Sequence, residues 1–225
     1  MSRCLLLAAA LVLAPAPVLW ASGPEESFSL GLAGAMALGA HAEPVASEEL
    51  TDREPTREIP RFGAAGSSWL SLSAGVMFDN SDNTDYSLRL TYHQFLAKDF
   101  EINLGLTGWL HDQPEQNEAS GSFDLGFRYH FLTDPERGWS VYADTGIGLM
   151  LSTGNVPERG TSYNFTPRAG VGLTMRLPEN LGGGVGARLD LGVGWQHYSN
   201  ASTSSSRNNP ARDSLIIRLG VIFPF

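Results

Sequence analysis

Three side chains near the C-terminus have the types and spacing of an ester-hydrolysing set. The segment Gly194-Trp195-Gln196-His197-Tyr198-Ser199-Asn200 has the alternation of a strand, and Leu215, Ile217 and Leu219 alternate further on. Residues two apart in a strand share a face. His197 therefore shares the face of Val193 and Trp195, as does Ser199 if the strand persists that far, and Asp213 shares the face of Leu215. Two such strands joined by a loop are antiparallel neighbours, which brings the three groups together at one end. A serine hydroxyl is a weak nucleophile until a base takes its proton, a role open to His197. Asp213 can hold the imidazole tautomer and stabilise its cation. The developing oxyanion needs donors, and Asn200 with the backbone N–H groups of Asn200, Ala201 and Ser202 lies on the suitable side of Ser199. The plainer alternative is a strand that frays into a loop rich in Ser and Asn.

The elements that must position these residues are strands. Period-two apolar faces run from Leu70 to Phe78, Tyr86 to Tyr92, Phe100 to Leu106 and Phe123 to Phe131. They continue from Val141 to Leu151, with Thr145 polar, then Phe165 to Met175, Val185 to Trp195 and Leu215 to Phe225. The opposite faces carry Arg89, Glu101, Asp124, Arg128, Asp144, Arg168, Arg188, Asp190 and Arg218 among glycines. Several runs reach the length that spans a bilayer when tilted. Charges of both signs can pair inside a small barrel. The pattern predicts an all-β fold, an eight-stranded antiparallel transmembrane β-barrel of the outer membrane of a Gram-negative bacterium, ending on Phe225.

An even strand count puts both barrel ends in the periplasm. Loops at 96–98, 132–138 and 176–183 are then periplasmic, and those at 79–83, 111–120, 152–161 and 199–212 external. Trp109 and Trp195 are expected in an outer aromatic girdle, Trp69 and Trp139 in an inner one. His197, Ser199 and Asp213 would face outward at the outer-leaflet interface. That position suits an ester whose fatty acid already lies in the membrane.

Composition narrows the alternatives. The 225 residues carry 15 Lys and Arg against 24 Asp and Glu, a net charge of -9, which argues against nucleic acid as a partner. The single cysteine, Cys4, excludes an intramolecular disulfide and a multi-cysteine metal site. No phosphate loop, zinc spacing or calcium loop occurs, so no cofactor and no metal is expected. His93 and His130 face the lumen and read as members of its polar network. Arg3 followed by an apolar run to Trp20 and small Ala21 reads as a signal peptide over 1–21. Residues 22–66 read as an N-terminal periplasmic segment and linker, and 67–225 as the barrel.

The segment His197-Tyr198-Ser199-Asn200-Ala201, with Asn209-Pro210-Ala211-Arg212-Asp213 and the aromatic-ending last strand, resembles the lipid A 3-O-deacylase (PagL-type) family. The likeness is strongest over 195–225 and elsewhere mainly barrel pattern. It implies hydrolysis of the 3-position ester of lipid A, with lipopolysaccharide and outer-membrane lipids as partners; a homodimer stays open. His197 and Ser199 fall on the first and third places of the family's His-x-Ser-Asn motif, and Asn200 on its asparagine, implicated in the oxyanion site. Asp213 stands where the family commonly has glutamate, and Ser202 where glycine often follows the alanine. Two other readings remain: a non-catalytic barrel (structural protein, adhesin or inactive relative), and an acyltransferase using the same Ser and His.

Overall fold

A computed structural model describes residues 59–80, 83–114, 116–204 and 210–225. The signal peptide and most of the linker lie outside the described residues. The strands are β1 (Ser68–Asp79), β2 (Thr84–Ala97), β3 (Phe100–Asp112), β4 (Glu118–Asp134), β5 (Trp139–Val156), β6 (Thr161–Phe165), β7 (Arg168–Arg176), β8 (Arg188–Tyr198) and β9 (Arg212–Pro224). Each pairs antiparallel with its neighbours, and β1 pairs with β9, so the sheet closes. β6 and β7 are two pieces of one wall, both paired to β5, which makes an eight-stranded closed barrel.

The alternation of the sequence decides which side faces what. Leu72, Leu88, Leu106, Phe123, Ile147, Val193, Leu215 and Leu219 point outward and are exposed. Burying one such side chain contributes about 1.5–3 kcal/mol. Leaving about ten of them in water would forfeit the whole stability of an ordinary domain, on the order of 15 kcal/mol. The outer wall is therefore built for lipid, and the protein is an outer-membrane β-barrel. Thr145, the polar exception, donates its hydroxyl to the Arg168 carbonyl at 3.1 Å.

The lumen is filled by paired charges. Arg168 meets Asp124 at 3.2 Å, and Arg218 meets Asp144 at 2.9 Å. Arg128 reaches Glu101 and Asp190, each at 3.4 Å, and lies over the Tyr142 ring at 3.8 Å. Tyr142 donates to Asp190 at 2.8 Å. Its phenol lies along the inner wall over β7 to reach β8 only because Gly172, directly opposite it, has no side chain, since a Cβ there would overlap the Tyr142 ring.

Apolar clusters seal the two ends. Met77, Trp109, Met150, Val156, Tyr198 and Ile216 close one, and Trp69, Phe95 and Ile222, with Phe62 against them, close the other. Two expected girdle positions are thereby overturned. Trp109 is 5% exposed and Trp69 is 2% exposed, both inward. Trp109 lies between Gly108 and Leu110 on a strand whose lipid face is Leu104, Leu106 and Leu110, so parity directs it inside, where its N–H donates to Ser122 at 3.1 Å. A narrow barrel needs apolar bulk at its mouths, and the two tryptophans supply it. Trp195 does face out, 43% exposed, and Trp139 is half-buried.

Two strand boundaries also differ from expectation. Proline at 167 removes a ladder donor, and the sixth wall breaks between Phe165 and Arg168. Val185 and Ala187 lie outside β8, because Gly182 at φ 105° and Gly186 at φ 80° wind the preceding segment into tight turns and the strand starts at Arg188. The turns at 98–99, 135–138 and 177–187 share one end with the chain terminus. There Asp99 donates to Gly63, Arg176 to Gly138 and Phe225 to Ser68. An even strand count predicts that this end is the periplasmic one. A cysteine replacing exposed Asn117 should label in intact cells and one replacing Glu136 should not; the opposite pattern would invert the topology.

Candidate functional site

The outward set sits at the other end, on β8, β9 and the loop between them. In the β8–β9 register His197 is directly opposite Asp213, Trp195 opposite Leu215 and Tyr198 opposite Arg212. The residues between the candidate groups point inward and anchor them. Tyr198 is fully buried in the end cluster. Arg212 holds Asp79 at 2.7 Å and Asp85 at 3.1 Å. With those neighbours fixed inside, alternation leaves His197 and Asp213 no choice but the outer surface.

There His197 Nδ1 lies 2.8 Å from Asp213 Oδ1, and the indole N–H of Trp195 donates to the same oxygen at 2.8 Å. A carboxylate only accepts, so in the neutral imidazole the proton belongs on Nδ1, which leaves Nε2 the lone pair a base needs. Ser199 is half-buried just past the strand, held by a bridge to Phe165 in which each N–H donates to the other's carbonyl, at 3.2 and 2.7 Å. Among the described residues, no hydrogen bond joins Ser199 to His197. Such bonds often tighten only when substrate binds.

The turn after Ser199 is tightly made. Asn200 is buried; its amide nitrogen donates to Thr161 Oγ1 at 3.2 Å and its Oδ1 accepts from the Ser202 N–H at 2.9 Å. The side chain of Asn200 thus shapes the turn. Ala201 is exposed, and its N–H donates to no group among the described residues. Ala201 and Ser202 both have left-handed backbones, φ 51° and 60°. Such a conformation costs a residue other than glycine on the order of 1 kcal/mol. Ser202→Gly should therefore stabilise the turn by about 0.5–1 kcal/mol in an unfolding titration; a loss of stability would contradict this account of the loop. An open groove of about 510 Å³ runs beside Asp213, with Phe78, Trp195 and Leu215 in its lining.

A second serine–histidine pair lies inside the barrel and was not found by sequence reasoning. Ser71 Oγ is 2.8 Å from His93 Nε2, and His93 Nδ1 is 3.0 Å from Glu101. Only the β1–β2 register, which places Trp69 opposite His93 and Ser71 opposite Thr91, brings this pair together. These side chains are 4%, 2% and 1% exposed, and the adjoining void of about 20 Å³ admits no more than about one water. His130 bonds Ser140 at 2.9 Å within the same lumenal network. Among the described residues no group of His, Cys, Asp and Glu is arranged to hold a metal.

The fold and the arrangement define an outer-membrane barrel with a histidine–aspartate pair on its lipid-facing wall. The family model for lipid A 3-O-deacylase (PagL) matches residues 84–221, more than half of the chain, and the protein belongs to that family. The crystal structure of the outer membrane enzyme PagL is 22% identical, with 66% of this chain and 97% of that chain covered and a TM-score of 0.50. Neisserial surface protein A is 14% identical, with 72% and 99% covered and a TM-score of 0.52. Both likenesses are of fold alone. No curated protein matches the chain.

Proposed function

We propose that this protein is an outer-membrane serine esterase that removes the 3-O-linked acyl chain of lipid A in lipopolysaccharide. The observation that carries the reading is the 2.8 Å contact between His197 Nδ1 and Asp213 Oδ1 on the lipid-facing wall beside Ser199. Family membership supports the substrate class.

In this reading Ser199 Oγ attacks the ester carbonyl as His197 Nε2 takes its proton. Asp213 stabilises the imidazolium, and the N–H of Ala201, with the backbone of Asn200, faces the oxyanion. The sugar alcohol leaves with the proton returned by His197. Water, activated by the same imidazole, then releases the fatty acid from Ser199. A site at the outer-leaflet interface suits this substrate, whose acyl chains stay in the membrane while the ester reaches the site.

The lumenal Ser71–His93–Glu101 set is the second reading, favoured by its one formed link that the outer set lacks, serine to histidine. Access favours the outer set, because a lipid cannot enter a void the size of a water. The product distinguishes hydrolysis from acyl transfer. Incubation with lipopolysaccharide should yield free 3-hydroxy fatty acid and lipid A lighter by one acyl chain. A second acylated lipid would indicate transfer, and unchanged lipid A would favour a non-catalytic barrel.

A further inference from the structure

Asp213 has little around it to hold it still. Its side chain is 62% exposed, and its two hydrogen bonds, from His197 and from Trp195, fall on one oxygen. Both donors come from β8, two positions apart on the outer face. Indole nitrogen only donates. A tryptophan serving only as an interfacial anchor would turn that N–H to water or lipid headgroups; Trp195 turns it to the carboxylate. Its ring also lies 5.6 Å from the His197 ring at 32°, so an imidazolium would meet the indole π-system. The neighbouring cation, Arg212, is committed inward to Asp79 and Asp85 and cannot take this role.

We propose that Trp195 is a positioning residue of the esterase site, its indole N–H holding Asp213 Oδ1 in line with His197 Nδ1. This rests on the esterase reading above. One donor leaves an exposed aspartate free to swing about its bond to that donor. Two donors on one oxygen fix the oxygen in space and keep the imidazole in the tautomer that exposes the Nε2 lone pair to Ser199.

The test uses the full-length folded barrel in detergent with lipopolysaccharide. Trp195→Phe keeps an aromatic ring at the interface and removes the N–H. It should lower kcat about tenfold, the size of one charge-assisted hydrogen bond, with KM within about twofold. In an Asp213→Ala background the same change should cost nothing further, because the bond is already absent. Independently of activity, the indole N–H resonance of Trp195 in ¹⁵N-labelled protein should move upfield on Asp213→Ala. Wild-type kcat in Trp195→Phe, an equal loss in both backgrounds, or an indole resonance that ignores Asp213 would overturn the proposal. A wild-type protein that releases no more fatty acid than Ser199→Ala would instead sink the esterase reading, and the resonance would still decide whether Trp195 holds Asp213.

Discussion

Ser199→Ala is expected to abolish removal of the 3-position acyl chain while leaving the barrel folded. Ser199 is half-buried just past β8, and its hydroxyl makes no hydrogen bond among the described residues, so its loss removes chemistry and little packing. Loss of a nucleophile from such a set costs on the order of 10⁵–10⁶ in rate. His197→Asn should cost nearly as much, and the double variant little more, because the members act as one unit. Asp213→Ala should be gentler, roughly ten to a hundred times less severe, since nucleophile and base remain. Asp213→Glu should retain more activity than Asp213→Ala, because a carboxylate can still reach Nδ1. Mass spectrometry of lipid A from membranes carrying each variant reads the result, with gel mobility reporting the fold. A folded Ser199→Ala barrel that still removes the chain would end this reading of the outer set.

The second large effect lies in the lumen. Asp144 accepts from Arg218 at 2.9 Å and lies 3.8 Å from Arg128, with 3% of its side chain exposed. Replacing it by alanine leaves Arg218 without its carboxylate partner and strips Arg128 of one of three. Removing one member of a buried pair costs about 3–5 kcal/mol. Asp144→Ala should therefore lower barrel stability by about that amount in a urea titration in lipid or detergent. Asp144→Asn, which keeps the shape and one acceptor, should cost less. A change below about 1 kcal/mol would show that water or a shifted side chain replaces the lost partner.

Much of the barrel was legible because lipid on one side and a polar lumen on the other impose period two on every wall. The same rule predicts a shared outer face for His197 and Asp213, and the structure brings those two together there. It carried less information where a second force intervenes. Trp69 and Trp109 were expected at the lipid interface from their residue type, but the need to seal the mouths of a narrow barrel turns them inward, as their own strand parity already indicated. Val185 and Ala187 kept the apolar alternation of β8, yet the left-handed glycines around them end the ladder.

Contacts that depend on register and rotamer were not legible. Nothing in the spacing places His197 directly opposite Asp213, turns the Trp195 indole onto the same carboxylate, or brings Ser71 to His93 across β1 and β2. The Asn200 side chain was expected near the oxyanion, and the structure shows it tied to Thr161 and to the Ser202 N–H. The proposed mechanism takes the backbone N–H groups of the turn as the oxyanion donors.

The central claim is that the outward serine, not the lumenal one, is the nucleophile. A long-chain alkyl fluorophosphonate, added to membranes containing the folded protein, forms a stable bond with an activated serine and can be located by peptide mass spectrometry. The account predicts modification of Ser199, lost in His197→Asn and unaffected in Ser71→Ala. Modification of Ser71, or of Ser199 at the same rate with and without His197, would contradict it.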